Sequence, residues 1–180
     1  MPPPPQSSPP KWAKFVTITR DPRDMLVSAA FYLANLPEEK GGWGSGFGSL
    51  NIKSRLVRLI GEADFLRHRL QAWNNYPGGY HMRYESLLKN PEAELENVQI
   101  FLNRDVETGR IKRAIEFHAF KHQSGRESGV EHRSAFLRKG IQGDWRNYFD
   151  DDVRQEFKMA CNGKWNKLVL DLGYETIANW

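Results

Sequence analysis

Two short runs in this sequence read as β-strand, and the distance between them decides how they can pair. Lys14–Thr19 (KFVTIT) and Tyr80–Tyr84 (YHMRY) are apolar or β-branched runs of strand length. The chain between them carries helical periodicity, which excludes a tight hairpin and makes the pair parallel through a long crossover. An α/β fold follows, a parallel sheet flanked by helices.

The first strand feeds directly into a helix start. Asp21 is placed as N-cap, Pro22 suits the first helical turn, and Asp24 stands where the acidic half of a capping box belongs. Met25, Leu26, Ala29, Ala30, Tyr32 and Leu33 recur at helical spacing and predict the buried face. Arg20 and Ser28 stand apart from that face. A strand entering a helix N-terminus aims free N–H groups and the helix dipole at one point, which suits an anion. An arginine beside it suits phosphate. On this stretch alone, an ordinary βα turn with a surface arginine is the simpler reading.

The remaining chain reads as one domain over residues 11–180 behind a Pro-rich, disordered leader at 1–10. Pro37–Leu50 holds five glycines between residues 41 and 48, a loop that Trp43 and Phe47 could close over a ligand or onto the core. Arg55–Ile60 predicts a short helical turn. Glu62–Trp73 predicts a helix striped by Leu66, Leu70 and Trp73, which Tyr76–Gly79 breaks. Asn90 and Pro91 start another helix with Leu95, Val98 and Leu102 inside. Thr108–His118 is a further one, burying Ile111, Ala114 and Ile115. His122–Arg133 is polar and loop-like, and Phe136–Phe149 is aromatic and basic without helical period. The last helix begins near Asp150–Asp152 and turns Val153, Phe157, Ala160 and Leu168 inward.

Charge and cysteine usage narrow the class. A net charge of +4 and a pI near 9.2 suit a phosphate-bearing small molecule as well as nucleic acid. No recognised nucleic-acid motif occurs, and the basic residues are spread along the chain. Cys161 is the single cysteine, so disulfide frameworks and thiolate metal clusters are excluded and a reducing, cytoplasmic setting is expected. Leu26–Ala34, the longest nearly apolar run, is far short of the roughly 18 residues a membrane helix needs. No nucleic acid, membrane or metal partner is therefore expected.

A second anion-binding stretch lies at Arg138-Lys139-Gly140-Ile141-Gln142-Gly143-Asp144-Trp145. Two cations are followed by glycines that let backbone N–H groups approach an oxyanion, with Trp145 pinning the loop to the core. The cations are expected to face the ligand.

Together these stretches resemble the sulfotransferase family, which moves a sulfuryl group from 3'-phosphoadenosine 5'-phosphosulfate to an acceptor. The family carries an R-[ND]-P-[KR]-D segment with a serine just beyond, matched by Arg20-Asp21-Pro22-Arg23-Asp24 and Ser28. Its Y-E-[DS]-L segment after a strand is matched by Tyr84-Glu85-Ser86-Leu87. Its R-K-G-x2-G-D-W-[KR]-x2-F segment is matched from Arg138 through Phe149 at every fixed position. The resemblance covers residues 11 to about 175 and implies the P-loop NTPase-like sulfotransferase fold, in its C-terminal portion.

By resemblance, Arg20 and Ser28 hold the 3'-phosphate of the donor, and Arg138, Lys139 and Gly140 close over the same phosphate. Tyr84 is similar to the family tyrosine that touches the adenine, and Phe120, in His118-Ala119-Phe120, to the aromatic against the purine. The implied ligand is 3'-phosphoadenosine 5'-phosphosulfate or its desulfated product, with a small-molecule acceptor of unknown structure. A site built for a dianion loses its pairing when the 3'-phosphate is missing, which explains selectivity over ATP.

The departures are as informative as the matches. Family members begin with a P-K-[ST]-G-[ST]-T-W loop around the 5'-phosphosulfate and a His base upstream of the Arg-Asp-Pro segment; neither pattern occurs in these 180 residues. Catalytic residues are therefore not identified. The sequence reads as an N-terminally truncated sulfotransferase domain that binds the donor nucleotide. The alternatives are a non-catalytic nucleotide-binding or partner subunit, completed by a separate N-terminal piece or another subunit, and an inactive gene fragment. Among His68, His81, His118, His122 and His132, only the pair His118 and His122 shares a helix spacing, and no third ligand accompanies it. His132, just before the basic loop, is the nearest substitute for a base. Asp150–Asp152 read as a helix cap. Two strands make a thin sheet, so an open edge and an exposed apolar face are expected.

Overall fold

The computed structural model describes residues 13–37, 45–74 and 78–180, so Trp43 and the Pro-rich leader lie outside the described residues. The chain divides into two units, residues 1–20 with 69–130 and residues 21–68 with 131–180.

In the first unit, β1 (Phe15–Thr19) pairs in parallel with β2 (Gly79–Arg83), from Phe15 opposite Gly79 to Thr19 opposite Arg83. Among the described residues the sheet has these two strands alone. α4 (Tyr84–Lys89), α5 (Pro91–Phe101), α6 (Thr108–His118) and α7 (Phe120–Ser124) follow β2. Parallel register puts Val16, Ile18, Tyr80 and Met82 on one face. α5 covers the β2 side of it. Tyr80 donates its hydroxyl to Glu94 at 3.1 Å and its ring lies 5.7 Å from that of Phe101. The β1 side stays open, with Val16 37% and Ile18 50% exposed. On the other face Thr17 Oγ1 and His81 Nδ1 lie 2.8 Å apart. Leu102 and Ala114, expected inside, are both exposed, and Ile111 is the one residue of α6 that is fully buried. Leu102 caps α5 and so lies past its packed face.

The second unit is helical. α1 (Pro22–Ala34), α2 (Ile52–Glu62), a 3-10 turn (Asp144–Asn147) and α8 (Asp151–Asp171) enclose the core, and α3 (Asp64–Asn74) begins in this unit. Asp21 caps α1 by accepting the N–H of Arg23 at 2.9 Å, and Asn51 caps α2 through the N–H of Ser54 at 2.9 Å. That second cap extends α2 well beyond the short turn expected at Arg55–Ile60. Leu56, Leu59 and Ile60 are its buried stripe.

α1 buries Leu26, Val27, Ala30, Phe31 and Leu33, whereas Tyr32 is 51% exposed. The expected face was rotated by one position toward Tyr32. Phe31 is the larger apolar surface and wins the inward place. Of the glycine loop, Phe47 packs into the core and carries the Arg58 guanidinium 4.6 Å from its ring centre.

α8 is interrupted. Ala160 is extended (φ −56°, ψ 146°), and Cys161, Asn162 and Gly163 take left-handed φ values of 54°, 56° and 76°. Ala160 therefore does not continue the inward stripe. The break resets the helix phase so that Phe157 before it and Trp165 after it both turn inward, rings 5.6 Å apart. Trp165 donates its indole N–H to the carbonyl oxygen of Ile60 at 3.0 Å and ties α8 to α2.

Candidate functional site

Within the first unit, parallel pairing brings the ends of β1 and β2 side by side, and the next residues of each strand are Arg20 and Tyr84. The Arg20 guanidinium lies 4.7 Å from the centre of the Tyr84 ring. A planar cation over an aromatic face is held by quadrupole attraction and by stacking. It stands at the carboxyl ends of the strands, where open α/β sheets bind ligands. Phe120 opens α7, half-buried, with the Arg126 guanidinium 5.4 Å from its ring.

In the second unit, Ser28 lies half-buried on α1. The basic loop is fastened to the start of that helix. Asp24, expected as half of a capping box, accepts the N–H of Gly143 at 2.6 Å and of Trp145 at 2.8 Å. Gly143 takes φ 75°, a left-handed conformation that favours glycine at this bend. Gly140 has φ 66°. Beneath the loop, Arg23 is fully buried. It pairs with Asp21 at 2.7 Å and Glu175 at 2.6 Å and lies against the rings of both Trp145 (3.8 Å) and Trp180 (4.4 Å), which stand edge-on to each other.

The loop cations are paired rather than bare. Arg138 Nη2 donates to Asp144 Oδ2, Arg138 Nη1 to Glu131 Oε1, and Lys139 Nζ to Asp144 Oδ1 at 2.6 Å. Phe31 lies under the Arg138 guanidinium at 4.4 Å. Burial pushes the Asp144 carboxyl up, but hydrogen bonds from Lys139, Arg138 and Asn147 outweigh it and hold the group below the usual carboxylate range. The Glu131 carboxyl is held low in the same way, burial opposing hydrogen bonds from Arg133, Arg138 and Tyr148. Sequence reasoning singled out Arg138 and Lys139 but passed over their two carboxylates. Asp144 lay inside the motif and was read only through its glycine and tryptophan neighbours. Glu131 gave no signal in the sequence.

The histidines are engaged locally. His68 lies 3.2 Å from Asp64, and His118 and His122 both pack on the ring of Phe117. His132 Nδ1 lies 3.2 Å from Ser134 Oγ, and the His132 backbone N–H donates to the Arg138 carbonyl at 2.9 Å. Among the described residues no three His, Cys, Asp or Glu side chains group as a metal site. Asp150 caps α8 through the Val153 N–H at 2.9 Å.

A sequence model of the sulfotransferase domain matches residues 4–169. The chain belongs to the sulfotransferase family. Sulfotransferase 2A2 of Rattus norvegicus is 26% identical over 171 residues, covering 82% of this chain and 57% of that protein. Cytosolic sulfotransferase 16 of Arabidopsis thaliana is 24% identical, covering 78% of this chain and 47% of its own length. The chain thus spans about half the length of the curated sulfotransferases it matches.

Solved structures agree on the fold. Mouse sulfotransferase SULT7A1 complexed with PAP aligns with a TM-score of 0.67 at 19% identity, over 89% of this chain and 59% of that one. Retinol dehydratase in complex with androsterone and inactive cofactor PAP aligns at 0.60 and 25% identity, over 91% and 50%. Within the second unit, Asp24 joins the first turn of α1 to the Arg-Lys-Gly loop through Gly143 and Trp145. Arg20 and Tyr84 meet within the first.

Proposed function

We propose that this chain binds the 3'-phosphoadenosine part of the sulfuryl donor, or the desulfated product, adenosine 3',5'-bisphosphate. The residues that carry it are Arg20, Ser28, Tyr84, Phe120, Arg138, Lys139 and Gly140. What supports the reading most is the basic loop, with its backbone anchored on Asp24 and its cations braced by Asp144 and Glu131. A braced cation loses little conformational entropy when it meets a phosphate. The family reaction is sulfuryl transfer to an acceptor hydroxyl or amine. The S–O bond to the donor phosphate breaks as one to the acceptor oxygen or nitrogen forms, and the acceptor proton leaves to a base. The acceptor here is a small molecule of unidentified structure.

The setting proposed is cytoplasmic, supported by the single cysteine. Tested as a 180-residue chain, the protein binds adenosine 3',5'-bisphosphate in preference to ATP and transfers sulfate weakly or not at all. The sequence motivates the second half, since it holds no P-K-[ST]-G-[ST]-T stretch. Calorimetry with the two nucleotides tests the first half, and equal affinities would sink it. Transfer of radiolabelled sulfate to simple phenols by the purified chain would falsify the second.

A partner-subunit reading is favoured by one observation, the open β1 face with Val16 and Ile18 in solvent. An N-terminal piece or another subunit covering that face would restore both binding and transfer. Sulfate transfer that stays at background when candidate N-terminal pieces are added in trans counts against it.

A further inference from the structure

We infer that Glu131, which lies outside every family motif in this sequence, is a positioning residue for Arg138. This rests on the nucleotide reading above for what Arg138 contacts. The observations are geometric and lie within one unit. Glu131 Oε1 accepts from Arg138 Nη1 and from the Tyr148 hydroxyl, the latter at 3.1 Å, and Oε2 accepts from Arg133 Nε at 3.1 Å. Asp144 takes the other terminal nitrogen of the same guanidinium. Two carboxylates on its two terminal nitrogens define the guanidinium plane, and Phe31 beneath it at 4.4 Å fixes which side that plane rests on.

The backbone repeats the tie. The His132 N–H donates to the Arg138 carbonyl at 2.9 Å, closing residues 132–138 into a loop that carries Glu131 to its partner. Tyr148 steadies Glu131 in turn, its own ring edge-on to Phe31 at 5.4 Å. Three cations, Arg133, Arg138 and Lys139, thus share two carboxylates. The loop carries only one net positive charge. Recognition of a 3'-phosphate then depends on where the Arg138 plane points more than on bulk charge, and Glu131 sets that direction.

The test compares wild type with Glu131→Gln, a change that keeps size and an acceptor for Tyr148 but removes the charge that holds Arg138. Affinities are measured by calorimetry for adenosine 3',5'-bisphosphate and for adenosine 5'-monophosphate, which lacks the 3'-phosphate. A positioning role lowers affinity for the bisphosphate about five- to twentyfold and leaves the monophosphate within about twofold. Equal losses for both ligands, or none for either, overturn it, the first outcome marking a purely structural residue. Rotation about the Arg138 Nε–Cζ bond, followed by NMR without nucleotide, gives a readout independent of ligand. It is slow in the wild type and fast in Glu131→Gln if Glu131 holds the plane, and fast in both if it does not. A wild type that fails to prefer the bisphosphate would overturn the nucleotide reading, while the NMR result would still decide the role of Glu131.

Discussion

The carboxylate of Asp24 accepts the backbone N–H of Trp145 at 2.8 Å, from a residue 121 positions further along the chain. The same carboxylate takes the N–H of Gly143 at 2.6 Å, so one side chain in the first turn of α1 fixes both flanks of Asp144. Asp24→Asn keeps the shape but turns a donor toward one of those N–H groups. Charge-assisted bonds to buried partners contribute about 1.5–3 kcal/mol, so a loss of about 2–3 kcal/mol is expected. Urea titration should show a lower midpoint with an unchanged slope. An unshifted midpoint would mean that the loop holds itself.

Arg23 is the buried cation under that loop, and removing it strands its partners. Arg23→Met leaves Asp21 without its bidentate partner and Glu175 without its inward one, while Trp145 and Trp180 lose the cation against their rings. Breaking a buried pair from one side costs about 3–5 kcal/mol. Arg23→Lys recovers only part of it, because an ammonium neither stacks on an indole nor forks onto a carboxylate. The thermal midpoints should rank wild type, then Arg23→Lys, then Arg23→Met.

Asp144 and Glu131 make the second unit acid-sensitive in a defined direction. Both carboxyls are held below their ordinary range in the folded state. The stability they contribute is complete above the unfolded value, about pH 4, and is lost as pH falls through the lower folded values. Stability is therefore flat above about pH 5 and declines steeply below about pH 4. Asp144→Asn lowers the plateau and flattens the acid limb. Denaturation measured between about pH 2.5 and 6 checks both features, and an acid limb of unchanged steepness in the variant would assign the sensitivity elsewhere.

How much of this was readable in advance depended on the range of the forces involved. The two strands, their parallel pairing and the helix after Asn90 were legible because strand composition, crossover length and a proline at the first helical position are written in the sequence, although the Asn90 side chain makes no cap hydrogen bond. The tight bends of the basic loop were legible through its glycines. The face of α1 was not, because Phe31 and Tyr32 differ by one position and only the packed surroundings decide which turns inward. The break in α8 at Ala160–Gly163 was hidden by residues that are acceptable in a helix, apart from Gly163. Asp24 looked like a cap because capping is a local pattern. Its bonds to Gly143 and Trp145 exist only after the fold has brought distant segments together. Glu131 differs in range: it stands seven residues before Arg138 and meets it through the loop that the His132 N–H and the Arg138 carbonyl close, a turn with no compositional signature.

Arg20 and Tyr84 offer the sharpest test of the first unit. With the guanidinium 4.7 Å from the ring centre, the phenol ring is a platform that restricts the arginine before any ligand arrives. On the proposed nucleotide reading, replacing Arg20 by Met removes a charge-assisted phosphate contact and should weaken binding of adenosine 3',5'-bisphosphate about tenfold or more. Tyr84→Leu removes the platform and, on the same reading, the proposed adenine contact. If the platform works through Arg20, the two losses overlap, and the double variant falls short of their sum by about 0.5–2 kcal/mol. Tyr84→Phe keeps the ring and should bind nearly as well as wild type. Full additivity across the cycle would show that Tyr84 acts on the nucleotide without acting through Arg20.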